Sequence, residues 1–150
     1  MVSTALWLVG LIAGQLAFGR PRGLAPRRHR LDDADLDLGD LAIVIPARDE
    51  EAVLGLLLED LGPAAAAGAR VIVVDDHSSD GSAAIARRFE YAQLLEAGPL
   101  AARRPGKSAA CALGARVAVA RGARRLLFLD ADVRLAPGAV SVLAGTLERH

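Results

Sequence analysis

Four short apolar runs, three of them followed by acidic residues, constrain this chain more than any other feature: Leu41–Pro46 (LAIVIP), Arg70–Asp75 (RVIVVD), Tyr91–Glu96 (YAQLLE) and Arg125–Leu129 (RLLFL). Runs of this length, alternating with longer amphipathic segments, predict an α/β fold in which a parallel sheet is covered by helices. The first run is continuously apolar, as a strand buried on both faces must be, and Pro46 is predicted to end it. The third is weaker and more alternating, which suits an edge. Between the runs, Asp49 is placed to cap a helix with Glu50 and Glu51 in its first turn, because Leu54, Leu57, Leu58 and Leu61 recur at helical spacing. Further helices are expected over Ser82–Phe89, over a small-residue stretch from Lys107 to about Arg121, and from Pro137 at a first turn to Glu148.

Open parallel sheets bind ligands beyond the carboxyl ends of their strands. Polar residues collect there: Arg48 to Glu51 after the first run, Asp75 to Asp80 after the second, Asp130 to Asp132 after the fourth. Acids gathered this way repel unless a cation or a hydrogen-bond donor joins them. Asp130 and Asp132, one residue apart where a strand ends, suit a hard divalent ion. Magnesium or manganese held by one or two carboxylates completes its shell with water and phosphate oxygens, so a nucleoside diphosphate is the natural bound species. The triplets Asp33 to Asp35 and Asp35 to Asp37 share the spacing but lack a preceding strand such as LLFL.

Composition removes several alternatives. Aromatic residues make up 3% of the chain against 53% hydrophobic, too few for base-stacking platforms. The 18 basic and 18 acidic residues balance, so no net field draws the molecule to nucleic acid. Cys111 is the lone cysteine, which excludes an internal disulfide and a thiolate zinc site and fits a reducing cytoplasmic setting. Lys107 is the single lysine. Gly106-Lys107-Ser108 opens a helix as a phosphate loop would, but that pattern needs glycine where Ala101 stands.

Residues 1–19 carry no charge, and as a helix they would extend about 28 Å, enough to cross a bilayer core of about 30 Å. Arg20, Arg22, Arg27, Arg28 and Arg30 follow directly. That asymmetry predicts a single-pass anchor in the cell membrane with the following domain in the cytoplasm. A signal peptide would want its basic residues on the other flank, and burial in a partner would use Gly10 and Gly14. Residues 20–40 are expected as an unpacked charged linker, leaving 41–150 as the folded domain.

The segments AIVIPARDEE, RVIVVDDHSSDG, PGKSAACALGA and RRLLFLDADVRLAPGA resemble four successive blocks of family 2 glycosyltransferases, in the family's order. Their wording is most similar to the membrane-associated branch that glycosylates hopanoid or carotenoid lipids. The resemblance implies a glycosyltransferase A-type, Rossmann-like parallel sheet, incomplete here. It implies that Pro46, Ala47, Arg48 and Glu50 line the nucleoside pocket and that Asp76 accepts a hydrogen bond from the base, most often uracil. Lys107 would then lie near the donor diphosphate, Asp130 near the ribose or the metal, and Asp132 would ligate Mn2+ or Mg2+ directly. The implied partners are a UDP-sugar donor and a lipid acceptor. Asp76, Ser78 and Ser79 also have a simpler use as turn and helix-capping residues. No residue is assigned as the catalytic base, which in relatives follows the metal triplet. The expectation is therefore donor binding, with a partner chain supplying the missing half. The alternatives are a non-catalytic membrane-anchored nucleotide-binding module and a truncated inactive product.

Overall fold

A computed structural model of the chain describes residues 37–98 and 106–147. The expected anchor over 1–19 and most of the expected linker lie outside the described residues. Among the described residues no helix is long and apolar enough to cross a membrane.

Four strands, β1 (Leu41–Ala47), β2 (Arg70–Asp75), β3 (Ala92–Glu96) and β4 (Arg125–Phe128), form one parallel sheet in the order β3-β2-β1-β4. The helices are α1 (Leu54–Ala66), α2 (Ser82–Ala86), α3 (Lys107–Ala120) and α4 (Ala139–Leu147). Alternate residues of β1 and β2 point to opposite faces. Leu41, Ile43, Ile45, Val71 and Val73 pack with Leu54, Leu57, Leu58 and Leu61 of α1 and with Val140 and Ala144 of α4. On the other face, Ala42, Val44, Ile72 and Val74 meet Ala110 and Ala118 of α3. Both faces of β1 are thus fully covered, as its unbroken apolar run requires, and β3 takes the edge its weaker pattern predicted.

The sequence predicts Pro46 as the end of β1, but the strand runs one residue further, with Ala47 in register with Asp75. The Asp76 N–H donates to the Ala47 carbonyl at 2.8 Å, and the Leu129 N–H donates to the Val44 carbonyl. Since alternate residues of a parallel strand bond to opposite neighbours, odd-numbered residues here face β2, and Val44 and Pro46 face β4. Proline lacks the donor that would continue the β4 ladder, while nothing is lost on the β2 side. The strands β1 and β4 therefore part company after Leu129 and leave a crevice.

Three other expectations change. Asp49 does not cap α1: it sits at φ 54°, and the helix starts at Leu54, whose N–H bonds to the Glu50 carbonyl. The second helix stops at Ala86, short of Phe89. The last begins at Ala139, because Gly138 at φ 77° takes the chain out of helical geometry after Pro137. The end of the expected linker is also packed. Leu38 is fully buried, its N–H donates to Ala67, and Asp40 pairs with Arg125. An apolar side chain at the sheet's amino-terminal rim outweighs the flanking charge.

Helix α3 lies unusually close to the sheet because its inward face is Ala110, Gly114 and Ala118. A Cβ on Gly114 would stand 2.4 Å from a methyl of Val44 and 3.1 Å from one of Val74. Gly114→Ala should therefore destabilise the chain by about 1–3 kcal/mol despite alanine's better helix propensity. Urea unfolding checks this, and the cost should shrink in a Val44→Ala background, where the colliding methyl is gone.

Candidate functional site

A cavity of about 300 Å³ opens beyond the carboxyl ends of β1 and β4. The end of β1 and the loop after it contribute Pro46, Ala47, Arg48 and Glu50, and the residue after β2 contributes Asp76. Gly106 and Lys107 come from the start of α3, and Asp130, Ala131 and Asp132 from the loop after β4. All eight residues singled out from the sequence lie on this one surface, though they are drawn from four separate segments. Gly106, weighed in the sequence only as part of a phosphate loop, and Ala131, which carries no functional group, line it too.

Asp76 is the buried charge of the site, its side chain only 4% exposed. Its carboxylate lies 4.0 Å from the Arg48 guanidinium and 3.3 Å from His77 Nδ1. His77 itself turns outward in a left-handed backbone conformation, φ 62°. Across the cavity the Lys107 ammonium is paired with Asp130. The hydrogen bond that the ammonium donates to Asp130 raises the Lys107 pKa above its ordinary value, with smaller help from the charge of Asp132. The Asp132 carboxylate is exposed and makes no hydrogen bond or ion pair among the described residues.

Loops 48–53 and 76–82 are fastened to each other by side chains whose role the sequence did not reveal. Ser78 Oγ accepts from the Asp49 N–H at 3.0 Å, and the Asp49 carboxylate accepts from the Ser79 N–H at 2.7 Å. Ser82 Oγ accepts from Glu50 N–H at 2.8 Å, Asp80 from Glu51 N–H at 2.9 Å, and Glu51 from Gly81 N–H at 3.0 Å. Ser78 and Ser79 thus bind across to the neighbouring loop, where turn and helix-capping duty was the simpler use read from the sequence. The clasp fixes Arg48 and Glu50 against Asp76. The Ser82 hydroxyl bond holds the Asp80 carboxyl below its ordinary pKa. Whatever stability that carboxylate adds is present above about pH 3.8 and lost as pH falls through the lower folded value.

Among the described residues no three His, Cys, Asp or Glu side chains gather closely enough to cage a metal. A hard divalent ion does not need such a cage when phosphate and water complete its shell. The unpartnered Asp132 carboxylate beside Asp130 fits that partial donor set.

The cavity is thus a cleft at the ends of parallel strands, with a buried acid on one side and a lysine and two acids on the other. The chain matches the sequence model of "Glycosyl transferase family 2" over residues 42–150, and it belongs to that family. It is 31% identical over 134 residues to the 4,4'-diaponeurosporenoate glycosyltransferase of Staphylococcus aureus (strain N315), covering 88% of this chain and 33% of that protein. Among solved structures it is similar to mannosyl-3-phosphoglycerate synthase from Rubrobacter xylanophilus, with a TM-score of 0.52 and 28% identity, over 72% of this chain and 36% of that one. The chain thus spans about a third of the length of the relatives it matches.

Because Lys107 is the single lysine, its titration can be followed as one NMR signal in the whole chain. Asp130→Asn should lower the Lys107 pKa toward the ordinary lysine value. An unchanged titration would mean that the pair does not form in solution.

Proposed function

We propose that this chain is the donor-binding part of a glycosyltransferase and holds a nucleoside diphosphate sugar, UDP-linked by preference, in the cavity between β1 and β4. One observation carries the reading: a buried acid, a lysine and a pair of exposed acids, from segments far apart in sequence, meet in one crevice. The base would lie against Asp76 and the loop from Pro46 to Glu50. A carboxylate facing a base edge selects among bases, because the wrong one leaves a buried acceptor unpaired. The diphosphate would reach toward Lys107 and Asp132. An Mn2+ or Mg2+ ion bound there, held by Asp132 with Asp130 close by, would neutralise phosphate charge.

In sugar transfer the acceptor oxygen bonds to the anomeric carbon as the bond to the diphosphate breaks. Negative charge then grows on the departing phosphate oxygens. Lys107, already aimed into the cavity by the start of α3, offers its ammonium to that charge. Its present partner Asp130 is exposed, so the pair costs little to exchange. The base for the acceptor hydroxyl is expected in the part of the relatives that this chain does not span, supplied by more of the protein or by a partner. A lipid acceptor is supported by the name of the Staphylococcus relative. Anchoring through residues 1–19 with the domain in the cytoplasm rests on the arginines that follow that apolar stretch.

Calorimetry with UDP in the presence of Mn2+ tests the donor reading. Binding is expected, weakened by roughly 1.5–3 kcal/mol in Asp76→Ala through loss of a charged hydrogen bond. Asp132→Ala should remove the dependence on Mn2+. Equal affinity for UDP and ADP, unaffected by Asp76→Ala, would refute the base assignment.

A further inference from the structure

We propose that Asp60 and Arg134, which lie outside the cavity, are positioning residues that fix the Asp132 carboxylate for its cation. The inference rests on the reading of Asp132 as a cation ligand. Asp60 belongs to α1, whose Leu57, Leu58 and Leu61 are fully buried against the sheet, so its backbone is among the firmest points of the fold. Its carboxylate receives Arg134 Nε at 2.7 Å, Arg134 NH2 at 3.0 Å and the Leu135 N–H at 3.0 Å. That is a bidentate guanidinium fork plus a backbone donor on one carboxylate. The Asp60 side chain is only 15% exposed as a result.

The position of this clamp in the chain gives it its consequence. The loop from β4 to α4 leaves the sheet at Leu129, whose N–H is tied to Val44, and Ala131 is buried. A Val133 N–H bond to the Asp130 carbonyl, at 3.2 Å, closes a turn around Ala131 and Asp132. The clamp takes hold at the next two residues, Arg134 and Leu135. Asp132 is therefore held from both sides: by the β1–β4 ladder upstream, and by α1 downstream. Consecutive Cα atoms are 3.8 Å apart, so releasing Arg134 and Leu135 would let a carboxylate only two residues away shift by an ångström or more. Magnesium and manganese sites with few protein ligands tolerate such shifts poorly.

The test compares UDP binding by the full chain, with Mn2+ and with EDTA, in the wild type, Asp60→Asn and Arg134→Lys, at a temperature where circular dichroism shows each to be folded. Asparagine keeps the size of Asp60 but not the charge. Lysine keeps the charge of Arg134 but not the fork. The expected result is unchanged UDP affinity in EDTA and an Mn2+-dependent gain reduced on the order of tenfold in Asp60→Asn, less in Arg134→Lys. Should Asp60→Asn fail to fold, the milder Arg134→Lys decides. Variants that melt earlier yet keep the full Mn2+ gain would overturn the positioning role and leave the Asp132 reading intact. A wild type that binds UDP with no Mn2+ gain would overturn both.

Discussion

The structure depends on β1 being paired on both edges and covered on both faces. Four of its side chains from Leu41 to Val44 and the next, Ile45, are wholly removed from solvent. Each large aliphatic side chain buried in this way is worth about 1.5–3 kcal/mol. The strand is therefore rigid, and what its end carries is held to a narrow range of positions. Pro46 then uses the one backbone property it lacks. Without its N–H the ladder to β4 cannot extend, and the crevice opens beside the stiffest element of the fold.

Around that crevice the acids are kept apart by different means. Asp76 is buried beside Arg48 and His77, Asp130 meets Lys107, and Asp60, outside the cavity, takes a complete guanidinium fork. Asp132 stays exposed without a protein partner. A charge left in water costs little, whereas a buried one must be paired. The sheltered acids, Asp76 and Asp60, are both paired, while Asp130 and Asp132 stand exposed at the cavity.

Helix α3 shows how packing and site are joined. Ala110, Gly114 and Ala118 let it settle onto Val44 and Val74, and the same approach carries Lys107 to the cavity rim. A bulkier helix face would hold the lysine further from Asp130. The same small residues set the packing of the helix and the place of the lysine.

The sequence by itself determined the elements and the ends at which chemistry collects. Short apolar runs alternating with amphipathic segments predict parallel strands inside a layered fold, and the acids that follow them then lie on the carboxyl rim. That much marked the acids at the strand ends, Asp76, Asp130 and Asp132 among them; Pro46, Ala47, Arg48, Glu50 and Lys107 were marked as pocket residues by the family resemblance. The contacts between loops were not legible. Asp49 with Ser79, Asp80 with Glu51, and Asp60 with Arg134 are separated by roughly 30 to 74 positions, and nothing in a run of polar residues says which distant donor it will meet. Leu38 was lost among linker charges for the same reason, and Pro46 ended only one of its two ladders, a distinction that needs the neighbouring strands. Periodicity is a property of the local chain; pairing of charges and of exposed backbone groups is decided by which segments the sheet order brings together, and only the tertiary structure holds that information.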